Sequence, residues 1–292
     1  MSQIELSDTQ SLQSKHHIVN IASVPQRSPF RYAGGKTWLV PRIRQWLLKQ
    51  GGLNKELIEP FAGGGIVSLT AAFESLVGQV TMVEKDEGVA AVWRTILGDD
   101  AGWLVNAIGN FHLTPESARK VIEASNQSLE SLAFATIVKN RVNRGGILAD
   151  GASFIKQGEN GKGITSRWYP ETLQKRILAI TEMKDKIKFI EGDGFKVCEK
   201  NAHRKDAIYF IDPPYIKAGR RLYRYSNIDH KSLFELATRL EGIFLMSYDN
   251  TQEARELAEL YNFSTRSISM KNTHHAEKTE LLIGRDLSWL LE

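Results

Sequence analysis

The chain has 292 residues, 42% of them hydrophobic, which suits one large domain or a core with a smaller insertion. Lys and Arg number 38 against 34 Asp and Glu, a formal charge of +4 that is too mild to identify a polyanion-binding protein by itself. No apolar run approaches the roughly 20 residues that cross a bilayer, the N-terminus lacks a secretory layout, and the single cysteine, Cys198, excludes an internal disulfide and a cysteine-rich zinc site. A cytoplasmic protein with no membrane partner is expected.

Residues 1–26 are polar, rich in Ser and Gln and without a period, and read as a flexible lead-in. TWLVPRIRQWLL (Thr37 to Leu48) has helical spacing, with Pro41 tolerable in a first turn. KELIEPFAGGG then reads as a short buried strand breaking into a glycine turn, and IVSLTAAFESL as the helix after it. VTMVEKDE is a second strand ending in acid, VAAVWRTIL a helix, and DDAGWLVNAIGNF a helical continuation as far as Gly109 and Asn110. Strand, glycine turn, helix, strand is the sequence form of a parallel α/β sheet.

From Thr114 to Lys186 the alternation stops. Three helical segments, PESARKVIEASN, SLESLAFATIVKN and PETLQKRILAITEMK, surround a basic, glycine-rich stretch, NRGGILADGASFIKQGENGKGITSR, read as a long mobile loop. Strands resume with KIKFIEG, DAIYFID and GIFLMSY, separated by helical stretches such as HKSLFELATRL, and FSTRSISM with TELLIG closes the chain as an antiparallel hairpin.

Four stretches carry chemistry. In EPFAGGG the glycines permit close approach of a ligand to the backbone at a helix N-terminus, although a plain tight turn explains them equally well. Glu84, closing the next strand about 20 residues on, is placed where such folds accept ribose hydroxyls, so the pair points to a nucleoside-type cofactor. FRYAGGKTW ends like a Walker loop, but the earlier glycine falls on Phe30, so a nucleotide triphosphatase is disfavoured and the loop is left to bring Tyr32 and Lys36 to a small ligand.

In DPPY, Asp212 ends a parallel strand at the edge where open α/β sheets bind ligands. Pro213 and Pro214 lack N–H groups, so the Asp212 carboxylate and a backbone carbonyl form an acceptor pair for an exocyclic amino group, and Tyr215 offers a face to a planar base.

FRYAGGK, EPFAGGG, a strand-terminal acid, GDGF and DPPY, in that order, resemble the D12 class of adenine-N6 DNA methyltransferases, which includes the Dam enzymes; the resemblance runs from Pro29 to about Ile283 and is weakest in the middle. It implies a Rossmann-like α/β sheet dependent on S-adenosyl-L-methionine, with no metal. The catalytic domain would comprise 27–113 and 187–292, and 114–186 would be an inserted helical target-recognition subdomain. Tyr32, Gly34, Lys36, Phe61 and Gly63 would line the cofactor pocket, Glu84 would hold the ribose, Asp193 of GDGF would reach the cofactor adenine, and Asp212 would lie between cofactor and target. Asp212, Pro213, Pro214 and Tyr215 would form the catalytic turn.

Two departures stand out. The ribose acid is Glu84 where many members carry Asp, and NRVNRGG differs from the Dam pattern, so no target sequence is inherited.

A site-specific bacterial or phage enzyme follows, monomeric, acting on a flipped-out adenine of double-stranded DNA, with a cognate restriction endonuclease as a candidate partner. Lys139, Arg141, Asn143 and Arg144 are the candidate base readers or phosphate holders, and Arg220, Arg221 and Arg224 the candidate contacts to the backbone around the flipped nucleotide. Tyr223 and Tyr225 read as core or interface. Ser247 to Asn250 (SYDN) reads as a pocket rim or as a turn in which Asp249 caps a helix. His274 and His275, without a third well-spaced ligand, read as a solvated loop. Cytosine-N4 methylation and a catalytically silent DNA-binding module are the competing readings.

Overall fold

The computed structural model describes residues 24–32, 34–125, 128–149, 151–216, 224–225, 227–271 and 277–290. Seven strands form one sheet: β1 (Glu56–Glu59), β2 (Gln79–Glu84), β3 (Ile187–Glu191), β4 (Ala207–Ile211), β5 (Ile243–Asp249), β6 (Ser264–Lys271) and β7 (Glu277–Gly284). Their spatial order is β3-β2-β1-β4-β5-β7-β6, and β7 alone runs antiparallel to its neighbours. The Rossmann-like sheet and the closing antiparallel pair expected from the sequence are both present.

Period-2 alternation along the central strands builds two cores. Leu57, Ile208 and Phe210 face one layer, with Val80 and Met82. Ile58, Tyr209 and Ile211 face the other. Strands buried on both faces are what helical crossovers produce.

The first layer is covered by α1 (Val40–Lys49), which follows a short 3-10 turn and carries Pro41 in its first turn, by α2 (Ile66–Phe73) and by α3 (Glu87–Leu97). The second is covered by α8 (Gly194–Asn201), α9 (His230–Arg239) and α10 (Gln252–Leu260) through Cys198, Phe234 and Ala258. Cys198 is buried there and its thiol is pushed up to about 12, mainly by that burial, so it stays protonated.

Between β2 and β3 the chain inserts α4 (Ala101–Asn110), α5 (Pro115–Glu123), α6 (Leu129–Val142) and α7 (Pro170–Thr181). Local chemistry sets their starts. Thr114 and Ser117 form a capping box before Pro115, Ser128 caps α6, and Pro170 opens α7.

The helices of 114–186 share one core with the sheet. Ile137 and Val138 of α6 and Leu173 and Ile177 of α7 lie in the same cluster as Trp93 and Leu104, with α6 packed on α3 and α7 on α4. The stretch 143–167, expected as a mobile loop, is instead pinned at several points: Asn143 bridges Phe154, Ser166 is buried, and short 3-10 turns interrupt it. No helix among the described residues is long and apolar enough to cross a membrane.

Strand order places the site. Chain order proceeds outward from β1 through β2 to β3 on one side and from β4 to β5 on the other, so the crevice at the C-terminal ends of β1 and β4 is the topological switch point where such sheets bind ligands. EPFAGGG leaves β1 there, and DPPY leaves β4 there.

Candidate active site

A cavity of about 1100 Å³ opens at this crevice, and every residue assigned to the cofactor, from Tyr32 to Asp212, lies on its wall. On the β1 side the glycine turn is fixed by three hydrogen bonds or contacts of different kinds. Gly63 has φ +48, and a Cβ there would stand 2.5 Å from the Tyr32 ring. The Trp93 indole donates to the Gly63 carbonyl at 2.9 Å, and the Gly63 amide donates to Glu84 at 2.9 Å.

Gly63→Ala therefore strains the backbone by about 1–2 kcal/mol and displaces the tyrosine. The expected result is a lower denaturation midpoint together with weaker S-adenosylmethionine binding by calorimetry.

Glu84 ends β2 with its carboxylate already cradled, because its other oxygen accepts from the Lys85 and Asp86 amides at 2.8 Å each. Three of its roughly four lone-pair sites are used, leaving room for about one hydroxyl. Burial pushes Glu84 up to about 7, against the lowering effect of these amides. Asp193 caps α8 through the Phe195 amide at 2.9 Å and pairs with Lys85 at 3.1 Å. Phe61 and Phe195 meet edge to face with centroids 6.2 Å apart, forming an aromatic wall beside these acids.

The β4 side is built around an ammonium. Lys36, 3% exposed, lies 2.9 Å from Asp212 Oδ2 and 3.9 Å from Glu280, and donates to the Gly34 carbonyl at 2.6 Å. Burial would lower its pKa, but Asp212 and Glu280 outweigh this and hold it above the ordinary value.

Asp212 is pushed up to about 6, chiefly by burial. Its Oδ1 is buried and makes no hydrogen bond among the described residues, while the residue itself lines the cavity. Pro214 also lines the cavity, whereas Pro213 is buried behind the turn. Tyr215 departs from the stacking role expected of it: its ring covers Lys36, with the ammonium 5.0 Å from the centroid, and its hydroxyl is buried on the side of Asp212 and Glu280.

Residues that sequence reasoning passed over complete this floor. Glu59, at the end of β1, accepts from both the amide and the hydroxyl of Ser68, and burial pushes it up to about 8. Glu280 on β7 is buried and accepts from Ser247 of β5 at 3.1 Å. Two carboxylates, Asp212 and Glu280, and the Glu59 carboxyl thus surround one ammonium.

Glu59 holds its proton more tightly in the folded chain than in the unfolded one, so its contribution to stability is complete below the ordinary carboxylate range and is lost as pH rises through about 8. Glu59→Gln cannot titrate. Urea midpoints measured across this window should fall with pH in the parent and stay flatter in the variant.

The basic run at the end of α6 is engaged internally. Asn143, 1% exposed, donates to the Ile147 carbonyl and cannot read a base. Arg141, 4% exposed, donates to the Pro29 carbonyl at 2.5 Å and sits in the cavity wall in place of an outer DNA-facing surface. Asn140 clamps Arg31 in both directions, accepting at 2.9 Å and donating at 3.2 Å. Lys139 is half-buried and Arg144 is exposed.

Arg224 pairs with Glu87 at 3.3 Å, and Tyr225 donates to the same carboxylate at 2.6 Å, which places both over the start of α3. Arg220, Arg221, Tyr223, His274 and His275 lie outside the described residues. Thr251, not Asp249, caps α10. Among the described residues no three His, Cys, Asp or Glu side chains converge as a metal site.

Fit to a sulfonium nucleoside is testable on these groups. The excess of carboxylate over ammonium suits a cationic ligand, and the glycine turn, the cradled Glu84 and the Phe61–Phe195 wall suit a nucleoside. Fold and pocket together fit the class of S-adenosylmethionine-dependent methyltransferases. Within that class, residues 32–113 match the family model of the D12 class N6 adenine-specific DNA methyltransferase, the family whose motifs the sequence resembles.

No curated protein matches the chain in sequence. Solved structures with distant likeness include precorrin-6y C5,15-methyltransferase from Geobacter metallireducens, 10% identical, covering 83% of this chain and 84% of that one at a TM-score of 0.35. The rRNA methyltransferase aviRa from Streptomyces viridochromogenes is 13% identical over 85% and 84% at 0.35. Pyrococcus horikoshii TYW2 in complex with MeSAdo is 8% identical over 84% and 62% at 0.32.

Proposed function

We propose that the chain transfers a methyl group from S-adenosylmethionine to the N6 amino group of an adenine flipped out of double-stranded DNA. The observation that carries this reading is Asp212 on the cavity wall, its Oδ1 without a hydrogen bond among the described residues, on a turn whose two prolines bring no competing donors. The D12 family match over 32–113 supports adenine as the base.

The bound cofactor supplies an electrophilic methyl on a sulfonium. The chain's residues do the rest. Asp212 and a backbone carbonyl of the turn accept from the two N6 protons, turning the nitrogen lone pair out of the ring plane and toward the donor. Lys36 holds Asp212 in place through Oδ2 and leaves Oδ1 for the base. An N–C bond forms as the S–C bond breaks, and the surplus N6 proton leaves through Asp212 to solvent. Catalysis here rests on positioning and electrostatics. Extruding the base costs a few kcal/mol, which contacts in the cavity must offset.

Labelled-methyl transfer to adenine-containing duplex DNA, with RNA and adenine-free DNA as parallel acceptors, tests the reading. Label entering duplex DNA with the parent and not with Asp212→Ala is the expected result. Binding without transfer by the parent, or transfer to RNA alone, would sink it.

A further inference from the structure

The cavity has a second wall whose charge is opposite to that of the strand ends. It is made by the end of α6, by α7 with the 3-10 turn before it, and by the segment before α1, and it carries Arg31, Arg141, Arg167 and Arg176. No acid contributes to the cavity lining from these elements; its carboxylates come from the strand ends and from Asp229 before α9.

Arg141 lies deepest. One terminal nitrogen is spent on the Pro29 carbonyl, while its Nε is buried with no hydrogen bond. The charges acting on it are those of Arg176, Arg31 and Arg167, and with burial as the larger cause they push it down to about 9. Arg176 in turn spends one donor on the Ser28 carbonyl at 3.2 Å, one of the five a guanidinium offers.

Like charges gathered around the buried Arg141 repel, and an orphaned buried donor costs free energy until an acceptor arrives. Guanidinium forks match the oxygens of carboxylate and phosphate. Arg141 and Arg176 each keep donors beyond the one spent on a backbone carbonyl, and adjacent phosphates of a nucleic acid supply the matching charge.

We propose that Arg31, Arg141, Arg167 and Arg176 form an oxyanion site that takes the phosphodiesters flanking the target base. The proposal rests on the DNA-methyltransferase reading and adds to it the wall on which the backbone is held. Arg141 accordingly acts on phosphate from inside the cavity.

The test replaces the two half-buried members, as Arg176→Gln and Arg167→Gln, singly and together, with Arg176→Lys as the conservative control and urea midpoints to confirm folding. Binding of a fluorescein-labelled adenine-containing duplex is followed by anisotropy across a salt series, and S-adenosylmethionine binding by calorimetry. Each Gln variant should lose about tenfold or more in duplex affinity and flatten the salt dependence by about one phosphate contact, with cofactor affinity unchanged and partial recovery in Arg176→Lys.

Lost cofactor affinity with duplex binding intact would assign the anion to the methionine carboxylate and overturn the proposal. Unchanged affinity for both would overturn it as well, leaving the arginines structural. Methyl transfer by the parent in the same buffer separates the two levels: a parent that methylates the duplex while the Gln variants keep full affinity removes only the arginine site, and a parent that neither binds nor methylates it removes both.

Discussion

Asp212→Asn should lower kcat for methyl transfer by about 10²–10³-fold, the usual effect of removing one preorganised electrostatic partner from a transition state, while weakening S-adenosylmethionine binding far less. An amide is almost the same shape as the carboxylate, so the turn at the end of β4 survives and Lys36 keeps Glu280. What changes is the group at the open position: it loses charge, and its NH₂ can face the N6 amine donor to donor. Steady-state kinetics beside calorimetry of the cofactor separates this outcome from loss of fold, which would reduce both. The parent carries a second signature. Asp212 ionises near about 6, so kcat/KM should rise with pH through that value as the carboxylate forms. In Asp212→Asn this limb should vanish from the residual activity.

Lys36→Met should produce the largest loss of stability, about 3–5 kcal/mol by the general cost of breaking a buried ion pair, because it strands Asp212 and Glu280 without their cation. The loss has a direction in pH. Without the ammonium the folded-state pKa of Asp212 rises further above its unfolded value, so folding retains a proton that the unfolded chain gives up. Stability then declines as pH rises through that higher pKa and recovers as pH falls. Urea midpoints of Lys36→Met should lie farthest below the parent near about pH 8 and approach it near about pH 5. A deficit independent of pH would mean that Lys36 stabilises by packing and not by charge.

Much of the fold could be read because burial writes itself into composition. AIYFI and LIE declare central strands, the glycines of EPFAGGG declare a turn, and the order of motifs declares which strand ends meet. The site's floor was harder to read, since its members are joined only by register. Glu280 matters because β7 runs antiparallel to β5 and brings it to Ser247, and nothing local in TELLIG shows this. Glu59 did leave a signal, an acid inside an apolar run, which marks a buried charge with a partner elsewhere.

The run KNRVNR does not show in its own residues which of them face solvent. Cations spaced along a chain look alike whether they face solvent or satisfy a distant backbone. The carbonyl that Arg141 reaches belongs to Pro29, 112 residues earlier, and Asn140 holds Arg31 from 109 residues away. These contacts tie α6 to the FRYAGG loop, so part of what looked like a DNA surface positions the cofactor loop instead. Tyr215 illustrates the same limit at short range, since DPPY fixes where the ring begins but not that it comes to lie over Lys36.

Under the proposed function, this pocket methylates the amino group of adenine in DNA. Expression in a host lacking DNA methylation, followed by nuclease digestion and mass spectrometry of the deoxynucleosides, reads that outcome directly. N6-methyldeoxyadenosine in DNA from cells carrying the parent, and none in DNA from cells carrying Asp212→Ala, is the predicted result. Methyl recovered at cytosine N4, or no methylated deoxynucleoside from a folded parent that binds S-adenosylmethionine, would contradict it.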